Sequence, residues 1–330
     1  EWPRAPGVKL MGGVRYWNAE RKGDYTVSEA STGVGLTFNQ HDVFYTSHGV
    51  RQPSTGINVS PSDAKQTFEG VTIRAQVNYK PSASTLLYAS YNRGSKSGGF
   101  TFLTSSPLPG GEADALNGIP YKPETLNPYE VGAKLTLPLS TTLNLAAFYY
   151  DYQDYQAFAQ LGFVQTILNR NAKAKGIEAD LTTQPFPGFT LQASGSLLDT
   201  KVKNVPLPDG VSIVERDLPQ SPGFSGSLLA RYEFPLFQGT AFLQGDLQYS
   251  GKFCFTLLCA PVEREGNYTV GNLRVGFSID RYDIAAFVNN VGETKYRVYA
   301  TDASLYNGSS LGVYAPPRTW GLTGTVHFGQ

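Results

Sequence analysis

Hydrophobic and polar residues alternate along most of this chain with a period of two, the pattern of β-strands that have one apolar and one polar face. In TVGNLRVGFSID (residues 269–280), apolar side chains occupy every second position from Leu273 to Ile279, and Arg274 falls on the polar side. TWGLTGTVHF (319–328) alternates in the same way. Each such strand is predicted to contact an apolar medium on one face and water on the other.

The alternation predicts about twelve strands, joined by links of two alternating classes. Five links are tight and rich in turn residues, whereas the links between them are long. Transmembrane β-barrels have short periplasmic turns and long extracellular loops, so this spacing predicts an all-β, antiparallel transmembrane barrel. The expected strands are about 7–18, 67–80, 85–97, 124–137, 142–158, 172–183, 189–200, 221–234, 240–252, 267–279, 283–299 and 316–328.

Composition narrows the possible functions. Among the 330 residues, 41% are hydrophobic and 16% charged, which excludes disorder, and no apolar run is long enough for a membrane-spanning helix. Lys+Arg and Asp+Glu both number 27, so no basic field indicates nucleic acid as a partner. Aromatic residues reach 13%. In AFYYDYQDYQAF (147–158), Phe148, Tyr150 and Tyr152 share one face, which predicts an aromatic belt at the membrane interface unless they are ordinary core or interface aromatics.

The two cysteines, Cys254 and Cys259, lie close together in KFCFTLLCAPVEREGN (252–267). Two sulfurs without a nearby histidine are too few for a metal site, so the spacing favours a loop disulfide in an oxidising compartment, with two buried thiols as the alternative. The first residues, EWPRAPGVKL, show no signal peptide. We therefore interpret the chain as mature, trimmed or part of a longer protein.

Five segments, in order, resemble motifs of one family. LLYASYNRGSKSGGF resembles the strand-and-loop signature of TonB-dependent outer-membrane receptors, and YKPETLNPYEVGAKLTL resembles the Lys-Pro-Glu and Tyr-Glu-x-Gly stretch that follows it there. NRNAKAKGIEADL, DLPQSPGFSGSLLARYEF and YDIAAFVNNVGETKY are similar to later strands of the same family. The resemblance covers nearly the whole chain from residue 67 onward.

The resemblance implies a transporter of the bacterial outer membrane rather than an enzyme, with no cofactor. Its expected cargo is a ferric siderophore or another large, scarce nutrient, and its expected partners are a TonB-type energy-coupling protein, the lipid bilayer and lipopolysaccharide. Family members carry an N-terminal plug domain and a barrel of 22 strands. Residues 1–330 are therefore expected to be the C-terminal portion of such a barrel, without the plug. A passive porin or a self-contained twelve-stranded barrel is the alternative.

Candidate ligand-binding residues lie at the expected extracellular side. The long first loop, NQHDVFYTSHGVRQPS, offers histidine, tyrosine and arginine side chains that suit an anionic iron chelate, although a simply solvated loop is the alternative. Arg93 and Lys96 are expected to add positive potential at the mouth of the lumen, or else to pair with Glu124 or Glu130. The candidates in the first loop are His41, Tyr45, His48 and Arg51.

Other chemistries have less support. A haem ligand is disfavoured because Asn127-Pro128 follows Lys122-Pro123-Glu124, whereas haem receptors of the family carry their Asn-Pro loop before that segment. A Ser-His-Asn hydrolase built on His327 is also disfavoured, because the chain has three histidines and no Gly-x-Ser-x-Gly motif. No metal site is predicted.

Overall fold

The computed structural model describes residues 7–23, 27–28, 42–43, 64–100, 120–161, 164–207, 211–304 and 308–328. A single antiparallel sheet of 13 strands dominates it, which confirms the predicted all-β antiparallel architecture. Twelve of these strands follow one another as sheet neighbours in chain order, and the thirteenth, a short strand, pairs off the main path. No helix in the described residues is long and apolar enough to cross a membrane.

The twelve neighbouring strands correspond to the twelve that the alternation predicts. They are β1 (Val8–Gly23), β4 (Ala64–Ser82), β5 (Thr85–Lys96), β8 (Glu124–Leu137), β9 (Thr141–Leu161), β10 (Val164–Thr183), β11 (Phe189–Pro206), β13 (Phe224–Leu236), β14 (Gly239–Ser250), β17 (Tyr268–Ile279), β18 (Tyr282–Asn289) and β21 (Thr319–Val326). The remaining strands are β2 (Val27–Ser28), β3 (Asp42–Val43), β6 (Gly99–Phe100), β7 (Pro120–Tyr121), β12 (Ile213–Arg216), β15 (Phe253–Cys254), β16 (Arg264–Glu265), β19 (Arg297–Ala303) and β20 (Ser309–Tyr314).

The tight turns lie where the sequence predicts them, and the backbone angles of two of these turns are given below. Leu139 and Ser140 turn between β8 and β9 with positive φ angles of 60° and 48°. Gly188 turns between β10 and β11 at φ 81°, and a Cβ atom there would collide with the carbonyl of Glu233. Only glycine fits that position, because the left-handed backbone and the close neighbouring chain both exclude a side chain.

The predicted strand 283–299 is wrong at its C-terminal end. β18 stops at Asn289, and Asn290 then closes a turn in which its side chain accepts from Thr294 N (2.8 Å) and donates to Thr294 O (3.0 Å). The chain starts again as β19, which pairs with β20 rather than with the main sheet. Alternation resumes after the turn, so the pattern alone joined two strands that the asparagine separates.

The two faces of the sheet differ in polarity as predicted. Leu87, Val131 and Leu145 share the apolar face, with exposed fractions of 41%, 55% and 39%, because nothing in the described residues covers them. Arg274 lies on the opposite, polar face and donates to Thr323 Oγ1 at 3.5 Å. We call the apolar face the outer face and the polar face the inner wall.

The prediction that Phe148, Tyr150 and Tyr152 form the interfacial belt is wrong. Phe148 is paired in register with Glu130, which accepts a hydrogen bond from Tyr88 on the inner wall, so this aromatic row faces inward. Alternation separates two faces but does not tell which one faces the membrane; the register with β8 decides that. The outer belt instead consists of Tyr91, Tyr129 and Tyr149, whose ring centroids are 5.0 and 6.3 Å apart along the row.

The sheet has two edges, β1 and β21, and neither pairs with a further strand in the described residues. An unpaired strand edge in hydrocarbon leaves backbone N–H and C=O groups without partners, at several kcal/mol for each group. The sheet described here is therefore open, and its edges require partner strands in a membrane.

Candidate functional site

The inner wall carries a concave polar surface over β4, β5 and β8. Its lining encloses a depression of about 340 Å³. Tyr88 donates to Glu130 Oε1 (2.7 Å), and Gln76 donates to Asn78 Oδ1 (2.8 Å), so part of the lining is already hydrogen-bonded. The lining residues are Arg74, Gln76, Asn78, Leu86, Tyr88, Ser90, Asn92, Glu130 and Lys134.

Cations dominate the inner wall of β1, β4 and β5. In the described residues of these three strands, the positions that face inward include arginine and lysine but no aspartate or glutamate. Arg74 is paired with Gly13, two positions from Arg15. Arg15 and Arg74 are therefore diagonal neighbours across the strand pair, with their Cα atoms about 7–8 Å apart. We call Lys9, Arg15, Arg21, Arg74 and Lys96 the basic stripe.

Trp17 stands in the middle of the basic stripe, between Arg15 and Arg21. Its ring lies over Gly70, where an added Cβ atom would come within 2.7 Å of the indole. The indole N–H is buried and has no acceptor among the described residues. The stripe thus combines exposed cations with an unpaired donor, an arrangement that suits a negatively charged or oxygen-rich group.

Of the six predicted ligand-binding residues, the structure describes Arg93 and Lys96. Lys96 ends β5 on the inner wall and lies opposite Glu124 of β8 in the register, a position that is compatible with either of the two roles predicted for it. The predicted luminal position of Arg93 is wrong, because Arg93 shares the outer face with Tyr91, two residues before it, and points away from Glu130. The candidates His41, Tyr45, His48 and Arg51 lie outside the described residues.

Sequence reasoning missed the basic stripe, although its signal was present. Arg15 and Arg21 are six residues apart in VRYWNAER, an even spacing that puts both on one face of a strand. The contribution of Arg74 required the register between β1 and β4, which no pattern within one strand reveals.

A loop between β14 and β17 covers the inner wall near its extracellular end. It contains β15, a 3-10 helix (Pro261–Glu263), β16 and a disulfide between Cys254 and Cys259, whose Cα atoms are 5.3 Å apart. Leu257, at the tip, is only 1% exposed. It packs in a hydrophobic cluster with Ala157, Ala172, Val202 and Val205 from the ends of β9, β10 and β11. We call residues 251–267 the covering loop.

Two carboxylates hold the covering loop to the β19–β20 hairpin. Glu263 is 4% exposed and accepts hydrogen bonds from Thr256 Oγ1 (2.5 Å), Ala260 N (2.9 Å) and Asp302 N (3.0 Å). Arg297 donates to Glu265 Oε2 at 2.7 Å and to Val262 O at 2.6 Å. Because charge-assisted bonds are the stronger class, the loop and the hairpin form one ordered unit at the mouth.

We expect Leu257→Ala to loosen the covering loop without unfolding the sheet. The substitution removes buried methyl groups and leaves a cavity, at a cost of about 2–5 kcal/mol to the closed loop. Hydrogen exchange of the amides in residues 255–263 measures the effect and is expected to accelerate strongly. Val262→Ala is the matched control, because Val262 is 40% exposed in the same loop. Equal acceleration in both variants would contradict the anchoring role of Leu257.

The hairpin is expected to weaken at low pH through Asp302. Hydrogen bonds from the Ser304 side chain and amide (2.9 Å) and from Ser310 Oγ (3.3 Å) lower the pKa of this carboxyl. A lowered folded-state pKa stabilises the hairpin above the unfolded pKa of about 4, and that stability is lost as the pH falls through the lowered pKa. Pepsin cleavage in residues 297–314 should therefore rise between about pH 4.5 and 2.5 in the wild type relative to Asp302→Asn, which lacks this carboxylate at every pH. Parallel profiles for the two proteins would refute the assignment.

A larger cavity of about 980 Å³ lies between β11, residues 217–223 and the covering loop. Its charged lining is mixed, with Asp199, Asp217 and Glu265 facing Lys252 and Arg264. Glu265 is already paired with Arg297. This mixture favours no single ligand charge, so the basic stripe is the better-defined candidate site.

Comparison with known proteins identifies the class. Residues 1–291 match the TonB-dependent receptor-like beta-barrel family, and the chain therefore belongs to that family. Family membership places the protein in the bacterial outer membrane. The family consists of transport receptors, not enzymes.

Solved structures share the fold at low sequence identity. The ferric yersiniabactin uptake receptor FyuA from Yersinia pestis matches with a TM-score of 0.74 and 18% identity over 98% of this chain and 44% of its own. The ferric-catecholate import receptor Fiu from E. coli K12 matches with a TM-score of 0.68 and 19% identity, over 98% and 43%. The copper transporter OprC matches with a TM-score of 0.65 and 15% identity, over 98% and 46%. The chain thus spans less than half the length of each of these proteins.

Proposed function

We propose that this protein imports an anionic metal chelate, a ferric siderophore in the first instance, with energy supplied by a TonB-type inner-membrane complex. The observation that carries the proposal is the basic stripe on the inner wall. Exposed arginines that face no carboxylate on their own three strands create a positive surface along the path a cargo would take. Family membership indicates a transport receptor, and the positive charge of the stripe indicates an anionic cargo.

Arginine suits this cargo for geometric reasons. Its planar guanidinium donates in a fork that matches carboxylate and other paired oxygen acceptors, which are the groups that chelate iron. Arg21 already donates to Ser97 Oγ at 3.0 Å, and Arg74 to Gln76 Oε1 at 3.2 Å. These neutral partners orient the guanidinium groups without cancelling their charge.

We also propose that the described sheet is part of a larger barrel. The free edges of β1 and β21, and a length below half that of the receptors it matches, support the described sheet being the C-terminal portion of a 22-stranded barrel. The additional strands would pair with both edges, and a plug domain elsewhere in the protein would fill the polar lumen and contact the energy-coupling partner. A passive porin is the competing interpretation.

Binding of a chelate panel to the purified full-length receptor tests the proposal. Ferric chelates of similar size but different net charge are titrated at low and at high salt. We expect anionic chelates to bind most tightly, and their affinity to fall as salt screens the stripe. Tighter binding of neutral or cationic chelates, or affinity that does not change with salt, would contradict the proposed cargo charge.

A further inference from the structure

The cavity of about 980 Å³ at the extracellular end of the sheet forms where β11, β13 and β14 separate. β13 pairs with β11 as far as Phe224 and Leu197, and with β14 as far as Ser225 and Ser250. Residues 217–223, DLPQSPG, precede β13, and the covering loop follows β14. The two prolines of DLPQSPG lack the N–H that would extend a strand ladder, so the sheet stops there and leaves a gap. We call residues 217–223 the crossing segment.

Hydrogen bonds fix the walls of this cavity. Leu218 N of the crossing segment donates to Thr200 Oγ1 of β11 at 3.0 Å. Gln220 N donates to Cys254 O of the covering loop at 2.8 Å. The disulfide between Cys254 and Cys259 lines the same side of the cavity. The crossing segment is therefore tied to both of its neighbours, and the cavity between them is preformed, as ligand sites usually are.

The charged groups of the lining divide into paired and unpaired sets. Asp199 pairs with Lys175 at 3.2 Å, and Glu265 pairs with Arg297 at 2.7 Å. These two carboxylates are therefore neutralised by cations outside the cavity. The lining groups that have no ion-pair partner among the described residues are Asp217, Lys252 and Arg264.

The unpaired charges of opposite sign lie on different walls. Asp217 belongs to the crossing segment, whereas Lys252 and Arg264 belong to the covering loop, and all three side chains are exposed. Arg264 Nε donates to the neutral carbonyl of Cys259 at 3.4 Å, which leaves its charge uncompensated. A ligand of one sign is attracted by one wall and repelled by the other, but a zwitterion forms charge-assisted hydrogen bonds with both.

The rest of the lining suits a peptide. Phe224 and Tyr249, from the extracellular ends of β13 and β14, have ring centroids 5.5 Å apart, and Phe253 adds a third aromatic side chain. These rings can pack against apolar side chains of a ligand. A Cβ atom added at Gly266 would meet nothing within 4 Å, so open space adjoins the backbone there and another main chain can approach it.

We infer that this cavity binds a short zwitterionic peptide, with its ammonium group at Asp217 and its carboxylate at Lys252 and Arg264. A cavity of this volume takes a ligand of about drug size, which a tri- or tetrapeptide matches. The site is separate from the basic stripe, which lies on β1, β4 and β5. It adds a second ligand class to the receptor and does not depend on the cargo proposed above.

Calorimetric titration of the intact receptor in detergent with four forms of one peptide tests the inference. The probe is alanyl-leucyl-leucyl-alanine with free termini, and the other three forms carry an N-terminal acetyl group, a C-terminal amide, or both. The wild type is expected to bind the free peptide at least about tenfold more tightly than any blocked form, because each blocked terminus loses a charge-assisted hydrogen bond.

Two variants assign the two ends of the peptide. Asp217→Asn is expected to bind the free and the N-acetylated peptides alike, while the C-terminal amide still weakens binding. Lys252→Gln with Arg264→Gln is expected to show the reverse pattern. A merely structural role of these residues would weaken binding of all four probes equally, so the crossed pattern separates recognition of charge from loss of structure.

The matched control is Lys122→Gln with Asp154→Asn, which removes an exposed ion pair of 3.9 Å elsewhere at the extracellular end. It is expected to leave all four affinities unchanged. Equal affinity of the wild type for free and blocked peptides, or no saturable binding of the free peptide, overturns the inference. A uniform loss across the four probes in Asp217→Asn overturns the assigned ammonium site. Binding of an iron chelate to the same receptor is measured separately, so failure here is distinguishable from failure of the proposed function.

Discussion

Replacing Leu145 with arginine is expected to destabilise the receptor barrel by about 2–4 kcal/mol, the cost of a charge on the lipid face near the midplane. Leu145 lies on the outer face of β9, four residues before Tyr149 of the belt, so its side chain is at hydrocarbon depth. Moving the arginine by one position, to Asn144, turns it toward the aqueous inner wall. That change is expected to cost little.

Equilibrium unfolding of the full-length receptor in lipid vesicles measures this pair of variants. The difference between Leu145→Arg and Asn144→Arg matters more than either value, because both add the same charge to the same strand. Similar destabilisation by both would mean that the outer face and the inner wall are assigned wrongly. A larger effect at Asn144 would invert the assignment.

The double variant Arg15→Gln with Arg74→Gln is expected to weaken binding of an anionic ferric chelate by at least about 100-fold. Each arginine is expected to make at least one charge-assisted hydrogen bond to the cargo, at about 1.5–3 kcal/mol each. Glutamine keeps part of the length and polarity but removes the charge. The dissociation constant of the purified receptor for the chelate that binds most tightly gives the effect.

Two comparisons make that result specific. Arg281→Gln removes an equal charge from the tight turn before β18 and is expected to leave affinity unchanged. Replacing Arg15 and Arg74 by lysine is expected to restore part of the affinity, because charge returns without the guanidinium fork. Full affinity in the double glutamine variant would place the binding site elsewhere, with the first loop (residues 39–54) as the next candidate.

Period-two alternation and the spacing of turns were sufficient to predict the twelve neighbouring strands of the sheet, although not β12 or the C-terminal end of β18. Strands such as β5 and β8 follow from local pattern, since each side chain's neighbours in sequence determine its face. The five family motifs added the class of protein, and the family match confirms that class. The disulfide predicted from the spacing of Cys254 and Cys259 is present.

What the sequence did not yield depends on contacts between distant segments. The inward orientation of Phe148 follows from its register with Glu130 on another strand. Leu257 is buried only because residues of three strands meet beneath it. The sequence of a single strand does not reveal these pairings. The charge of the inner wall and the packing of the covering loop could therefore be seen only in the structure.

Energised uptake tests the central claim most directly. Cells that lack this receptor are supplied with the full-length gene and a labelled anionic ferric chelate, and accumulation is followed with and without collapse of the inner-membrane proton gradient. Gene-dependent uptake that stops when the gradient is collapsed is the predicted result. Uptake that continues at the same rate without the gradient would identify a passive pore, and uptake that does not depend on the gene would remove iron chelates from its function.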